Sequence, residues 1–148
     1  MLNKLKEFLV SRRKNVACFI DGPNILRKEL GVDLDKIRVR LSKEGVLKIS
    51  KVFVNQFASD KLIEAIVNQG FDVVILPSDV DVAIAVEAME AVFNSAIDCI
   101  AIVSRDSDFK PVLAKIKEKG KTAIIVGTDP EFSSALKNSA DVVINLKA

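Results

Sequence analysis

The sequence contains no histidine, tryptophan or tyrosine, and it has only two cysteines among 148 residues. Without histidine, the chain cannot supply a Ser-His-Asp or Cys-His catalytic set, a histidine general acid or base, or a histidine-ligated zinc ion. Cys18 and Cys99 lie in separate apolar segments with no neighbouring cysteine. That placement is typical of buried thiols and argues against a structural zinc site. Any catalysis would therefore have to use oxygen ligands.

Long hydrophobic runs are also absent. No apolar run approaches the roughly 18 to 20 residues of a membrane span, and the N-terminus lacks the apolar stretch of a signal peptide. We therefore expect a cytoplasmic protein with no membrane contact. A hydrophobic fraction of 49% is ample for one domain with a single core, whereas a net charge of +2 does not by itself indicate nucleic-acid binding.

The first 14 residues differ from the rest of the chain in charge. They contain one acid, Glu7, against five basic residues: Lys4, Lys6, Arg12, Arg13 and Lys14. Apolar residues at helical spacing accompany them: Leu2, Leu5, Phe8 and Leu9. The pattern predicts a basic amphipathic helix over residues 1–14. Such a helix could extend an RNA path, pack on its own domain, or dock on a protein partner or a second copy of the chain.

From residue 15 onward, apolar β-rich runs alternate with segments of helical period, which indicates an α/β domain over residues 15–148 with a central, mainly parallel sheet of five to six strands. The predicted strands are 16–20, 47–54, 71–76, 97–103, 122–126 and 142–146. The predicted helices are 33–43, 59–68, 81–94, 108–119 and 130–138.

Carboxylates follow the predicted strands or open the predicted helices. They are Asp21, Asp81, Asp106 and Asp108. In an open α/β sheet, ligands bind beyond the carboxyl ends of the strands, so these acids should converge. Convergent carboxylates repel one another unless a cation lies among them. Because hard cations prefer oxygen ligands, the pattern predicts a site for Mg²⁺ or Mn²⁺.

Each acid also has a purely structural interpretation. Asp21 could begin an Asx turn, and Asn24 could cap the next helix. Asp81 and Asp108 could be helix N-caps, with Pro111 tolerated in the first turn after Asp108. Asp106 is harder to explain in this way, because it stands between a strand end and that cap with no obvious donor to accept from. The complete set therefore favours the metal site.

Three motifs carry a family resemblance: Asp21-Gly22-Pro23-Asn24, the stretch from Val80 to Glu87, and the stretch from Ile102 to Pro111 followed by Gly120. A weaker match is Ser133-Ser134-Ala135-Leu136 with Ala140-Asp141. Over residues 14–147 the chain resembles the NYN domain, in the LabA-like branch of the PIN-like ribonuclease superfamily. It departs from the family at Arg105, where glycine is usual, and at Glu87, where aspartate is common.

The resemblance implies a PIN-like three-layer sandwich, Mg²⁺ or Mn²⁺ as cofactor, and RNA as the substrate class. It implies that Asp21, Asp81, Asp106 and Asp108 are the catalytic and metal-binding acids, with Asn24 and Ser104 as polar neighbours. We expect Asp21 and Asp106 to bind metal directly and Asp81 and Asp108 to bind it or hold its waters. Glu87 lies about 120° from Asp81 around a regular helix, so its place in the same pocket is doubtful.

Substrate contacts are predicted less sharply. Phosphate contacts normally come from Lys and Arg, and the candidates near the acids are Arg27, Lys28, Arg105 and Lys110. Arg105 has a second interpretation, as a solvated loop charge that offsets Asp106 and Asp108. With no Trp or Tyr and most Phe expected in the core, stacking platforms should be scarce and base preference weak.

The leading hypothesis is a metal-dependent endoribonuclease acting on single-stranded RNA. The alternative is a catalytically weak NYN module that binds RNA or a protein partner in a regulatory role. A third class, other carboxylate phosphotransfer enzymes, fits poorly. Toprim domains need Glu where this chain has Asp21, haloacid-dehalogenase phosphatases need a second Asp where Pro23 stands, and receiver domains need a late lysine for which Lys121 is a poor match.

Overall fold

The computed structural model describes residues 2–5 and 13–147. Six strands form one sheet, and every neighbouring pair is parallel. The strands are β1 (Asn15–Asp21), β2 (Val46–Asn55), β3 (Asp72–Leu76), β4 (Cys99–Val103), β5 (Thr122–Gly127) and β6 (Val142–Asn145). Their order across the sheet is β3-β2-β1-β4-β5-β6. The predicted α/β class with a central parallel sheet is confirmed.

Helices cover both faces of this sheet. They are α1 (Gly22–Ile25), α2 (Leu34–Ser42), α3 (Asp60–Asn68), α4 (Asp81–Val92), α5 (Lys110–Glu118) and α6 (Ser134–Lys137), with 3-10 turns at Lys28–Leu30 and Ser107–Phe109. One core cluster joins the sheet to α1, α2 and α3, and a second joins it to α4, α5 and α6. In β1, Cys18 packs into the first cluster and Phe19 into the second. Burial on both faces explains why the strands are almost continuously apolar.

Two helical segments differ from the prediction. Helix α1 was not predicted, because four residues are too short to show a helical period. The helix predicted over residues 130–138 is wrong in its first part, since α6 begins only at Ser134. Ser133 caps it by accepting the Leu136 N–H, and Glu131 has a φ of 67°, which a right-handed helix cannot contain.

The strand order creates a crevice at one place. The chain runs outward from β1 to β2 and β3, and then crosses back to β4 on the other side of β1. The connections therefore leave β1 and β4 in opposite directions, and the carboxyl ends of these two strands border an opening. Gly22 keeps α1 close against β2 there, because an added Cβ would lie 2.4 Å from the Phe53 carbonyl oxygen. The sequence segments after Asp21 and after Val103 thus face each other.

The described part of the N-terminus includes a short helical segment. Residues 2–5 are helical, and Leu2 and Leu5 are exposed. Phe8, Leu9 and most of the predicted N-terminal helix lie outside the described residues, so a separate helix over residues 1–14 stays a prediction.

Cys18 and Cys99 are buried free thiols, and burial raises the pKa of Cys18 to about 12. None of the helices in the described ranges is long and apolar enough to cross a membrane.

Candidate metal centre

Three of the predicted acids lie together at the carboxyl end of the sheet. Asp81 is the first residue of α4, and Asp106 and Asp108 belong to the turn after β4. Each of them offers a carboxylate oxygen, and these oxygens lie within 4.8 Å of one another. Asp81 and Asp106 are partly buried, whereas Asp108 is exposed. The arrangement is open on one side, as a site for a ligand must be.

Asp21 lies beside this trio at the end of β1. Its side chain is buried, with 3% of the residue exposed. The Ser104 hydroxyl donates to Asp21 Oδ2 at 2.9 Å and accepts the Asp106 N–H at 3.1 Å. Asp21, Asp81 and Asp106 line one cleft of about 200 Å³. The buried Ser104 therefore ties Asp21 to Asp106 and fixes their relative position. Its contact with a substrate stays a prediction.

Asp79 is a further acid of this cleft, and the sequence reasoning did not include it. It is exposed, lines the cleft with Asp81, and its charge raises the pKa of both Asp21 and Asp81. The sequence does contain an indication of Asp79, because Asp79-Val80-Asp81 repeats the acid-x-acid spacing of Asp106-Ser107-Asp108. Both motifs follow a parallel strand.

The structure also decides which acids serve as helix caps. Asp81 is the first residue of α4, and Val80 holds the N-cap position, so Asp81 is not the cap. The expectation that Asp108 is a cap and that Asp106 has no donor is wrong. Asp106 Oδ1 accepts the Asp108 N–H at 2.9 Å, because the 3-10 turn begins at Ser107, one residue earlier than predicted. Asn24 lies inside α1 and caps no helix.

Two of the acids, Asp21 and Asp81, have raised pKa values. Burial raises the pKa of Asp81 to about 7, and the charges of Asp21, Asp106 and Asp79 and a hydrogen bond with Asp106 act in the same direction. Burial also raises the pKa of Asp21, against a lowering by its Ser104 hydrogen bond. Carboxyl groups with raised pKa values are stabilised by any proton or cation that neutralises them.

Comparison with known proteins is consistent with this geometry. Residues 15–147 match the NYN domain. The chain belongs to the NYN domain family. Its family membership implies a PIN-like nuclease fold, whereas its place in the LabA-like branch stays a prediction.

Two proteins similar to this NYN domain are described as uncharacterised or of unknown function. It is 56% identical over 131 residues to the uncharacterized protein MJ0482 of Methanocaldococcus jannaschii, a match that covers 88% of this chain and 55% of the relative. The chain thus spans about half the length of that protein. It also resembles the crystal structure of VPA0982, a protein of unknown function from Vibrio parahaemolyticus, with a TM-score of 0.79 and 20% identity over 91% of this chain and 94% of the other. That likeness supports the fold.

Arg105 of the NYN domain is buried, with 8% of the residue exposed. Its guanidinium donates to the carbonyl oxygens of Pro130 at 2.8 Å and Asn24 at 3.1 Å, and its backbone N–H donates to Asn24 Oδ1 at 2.8 Å. The interpretation of Arg105 as a solvated loop charge is therefore wrong. Its guanidinium thus joins α1 to the segment after β5, where Glu131 also lies 3.9 Å from it. Its contact with a phosphate stays a prediction.

The other predicted side chains fall into two groups. Glu87 lies outside the acidic cleft and pairs with Lys51 at 3.1 Å, because the helical offset from Asp81 turns it towards β2. Lys110 is exposed at the start of α5, and Lys28 is exposed after α1. Arg27 lines the acidic cleft. Of the predicted phosphate contacts, Arg27 therefore lies at the cleft, where it also pairs with Glu29 at 3.8 Å, whereas Lys28 and Lys110 are exposed outside its lining.

The raised pKa of Asp81 predicts a pH-dependent stability in the absence of metal. Because the folded protein holds this proton up to about pH 7 and the unfolded chain releases it near pH 3.8, the free energy of unfolding should fall as the pH rises through that window. Asp81→Asn removes the ionisation. Its free energy of unfolding in urea and EDTA should therefore rise relative to wild type between about pH 4 and pH 7. An equal difference between the two proteins at every pH would contradict the assignment.

Proposed function

We propose that this NYN domain is a metal-dependent endoribonuclease that hydrolyses phosphodiester bonds of single-stranded RNA, in the LabA-like branch of its family and in the cytoplasm. The observation that carries the proposal is the cluster of Asp81, Asp106 and Asp108 oxygens within 4.8 Å of one another, beside the buried Asp21. The PIN-like nuclease fold that the family implies supports the proposal.

The donor set fits Mg²⁺ or Mn²⁺. All the candidate ligands are carboxylate oxygens, the sequence has no histidine, and both thiols are buried in strands. Asp81, Asp106 and Asp108 would hold the metal, and Asp21 would hold it directly or through water. When bound, such an ion lowers the pKa of water and neutralises charge on a phosphodiester.

The residues of the chain itself supply position and charge. Ser104 orients Asp21 and the Asp106 backbone, and the Asp108 N–H fixes the Asp106 carboxylate. A rigid arrangement of this kind costs little reorganisation when substrate binds. Arg27, at the edge of the cleft, and Lys110 are the groups we propose for phosphate contact, with Asn24 as a polar neighbour in the cleft.

The direct test is an RNA cleavage assay. A labelled single-stranded RNA incubated with the protein should be cut with Mg²⁺ or Mn²⁺ and left intact with EDTA. The same RNA annealed to its complement should be cut more slowly. Absence of cleavage with both metals would contradict the proposal.

Binding of the metal is tested separately by thermal unfolding. Mn²⁺ at a hundredfold excess over its Kd should raise the Tm by roughly 5–10 °C, because the ion binds the folded protein only. The rise should be larger at pH 8 than at pH 5, because protons compete with the metal for Asp81. A Tm that does not respond to millimolar Mn²⁺ at pH 8 would contradict the site itself.

One observation favours the second candidate, a catalytically weak module that binds RNA or a protein partner. Along the outer face of α4, Val82 and Val86 are exposed together, an apolar surface of the kind that proteins often use to bind protein partners. Under this alternative, wild type and Asp106→Asn bind RNA or a second protein equally, and neither cleaves RNA. Sedimentation of the purified chain at several concentrations would show whether a second copy is the partner.

A further inference from the structure

Phe57 lies on the surface near the acidic cleft. It follows β2 in a turn whose backbone is held at two points: Asn55 Oδ1 accepts the Phe57 N–H at 2.9 Å, and the Asn55 carbonyl accepts the Ala58 N–H at 3.1 Å. The next residue but one, Ser59, caps α3 by accepting the Leu62 N–H. Although the backbone is fixed, 83% of Phe57 is exposed. The fold thus holds an aromatic ring in water at a defined place.

The ring lines an apolar niche, which we call the Phe57 niche. Its volume is about 160 Å³, and Pro23, Leu26, Val54, Ala58 and Leu62 contribute most of its apolar wall. None of its lining residues is charged. The niche therefore suits a flat, uncharged group better than a phosphate.

The Phe57 niche adjoins the acidic cleft. Pro23 lines both of them, so they lie on either side of one residue of α1. A third depression shares Leu26 with the niche and Arg27 with the cleft, and it adds Lys28. The acidic cleft, the apolar niche and the basic residues Arg27 and Lys28 thus meet around α1. A nucleotide strand requires this combination: a metal site, a place for a base and charges for neighbouring phosphates.

We propose that the Phe57 niche binds a nucleobase of the single-stranded RNA, stacked on the Phe57 ring, next to the phosphate at the acidic cleft. The proposal rests on the proposed function for the position of that phosphate. Stacking on a phenyl ring is tolerant of sequence because every base has a π face, so the niche would add affinity more than specificity. It would also bind unpaired bases selectively, since a paired base is already stacked within a duplex.

The chain offers a matched control for the test. Phe93 is also exposed, at 77%, and it follows the carboxyl end of α4, far along that helix from Asp81. Phe57→Ala and Phe93→Ala remove the same ring from equally open positions. Both variants should unfold in urea within about 0.5 kcal/mol of wild type, because neither ring is packed in the core.

The measurement is fluorescence anisotropy in Mg²⁺ with two labelled probes of roughly ten nucleotides, one with its bases and one with abasic sites throughout. All the proteins compared carry Asp106→Asn so that the probe stays intact, which a gel verifies, and wild type here means Phe at positions 57 and 93. Wild type and Phe93→Ala should bind the probe with bases at least about fivefold more tightly than the abasic probe. Phe57→Ala should lose that preference, and Phe57→Trp should keep it.

Several results would overturn the niche as a base site. They are the absence of a base preference in wild type, equal behaviour of Phe57→Ala and Phe93→Ala, or full retention of the preference by Phe57→Leu. The last result would indicate simple apolar contact, as with a protein side chain. Cleavage that depends on Asp106 together with unchanged binding by Phe57→Ala would leave the nuclease proposal intact and remove the niche. A base preference that depends on Phe57, found without any RNA cleavage, would leave the niche as a base site and remove the nuclease proposal.

Discussion

Asp106→Asn is expected to lower metal-dependent RNA cleavage by at least about a hundredfold, because it removes one carboxylate charge from the centre of a site whose ion contributes several kcal/mol to charge stabilisation. Asparagine has nearly the same shape, and its side-chain oxygen can still accept the Asp108 N–H that Asp106 Oδ1 accepts at 2.9 Å. The turn after β4 should therefore fold normally. Without metal, the variant should be at least as stable as wild type, since one repulsive charge next to Asp81 is gone.

Asp141→Asn is the matched control for this experiment. Asp141 also accepts a backbone N–H, from Ala123 at 2.8 Å, but it does so at the amino end of β5, on the opposite edge of the sheet. We expect wild-type cleavage from Asp141→Asn in an initial-rate assay at saturating Mn²⁺. Equal cleavage by wild type and Asp106→Asn would remove Asp106 from the catalytic assignment.

Arg105→Met is expected to destabilise the protein by about 2–4 kcal/mol, because it removes two partly buried hydrogen bonds from a charged donor to main-chain carbonyl oxygens, each worth roughly 1.5–3 kcal/mol. The desolvation cost of Arg105 Nε, which is buried without a partner, offsets part of that loss. Methionine fills much of the volume, so the effect should report the hydrogen bonds to Asn24 and Pro130. Urea unfolding at neutral pH measures it directly.

Lys110→Met is the control for Arg105→Met, because Lys110 is exposed and lies five positions after Arg105 in the chain. Its stability should remain within about 0.5 kcal/mol of wild type, while its RNA affinity should fall and the slope of log affinity against log salt should decrease by about 1. If Arg105→Met instead keeps wild-type stability and loses RNA affinity with a reduced salt slope, Arg105 contacts phosphate as first expected from the sequence.

The fold was largely predictable because its signals are local. Alternation of apolar strands and amphipathic helices placed the ends of the strands and of most helices within two residues of those observed. The exceptions depend on backbone conformations that the periodic spacing of apolar residues does not indicate. The short helix Gly22–Ile25 is fixed by close packing on Phe53, and residues 130–133 leave the helical region through the positive φ of Glu131.

The candidate site was predictable in part, for a physical reason. Asp21, Asp81 and Asp106 follow parallel strands, and strand parallelism alone brings such residues to one edge. The environment of a side chain depends instead on contacts distant in sequence. Arg105 is held in a buried position by hydrogen bonds to Asn24 and Pro130, residues 81 and 25 positions away. No residue near Arg105 in the sequence indicates these hydrogen bonds. In the same way, composition suggested that phenylalanines belong in the core, whereas Phe57 is held in solvent.

The position of the acids on either side of β1 also determines when the site can arise during synthesis. Asp21 is made early, but its hydrogen-bonding partner Ser104 and the neighbouring Asp106 lie 83 and 85 positions later in the chain, beyond β4. A ribosome-bound chain that lacks β4 can pair β1 with β2 and β2 with β3, and it still has no cluster of acids. Under the proposed nuclease function, we therefore expect a nascent chain to gain RNA cleavage only after β4 and the turn that follows it have been made.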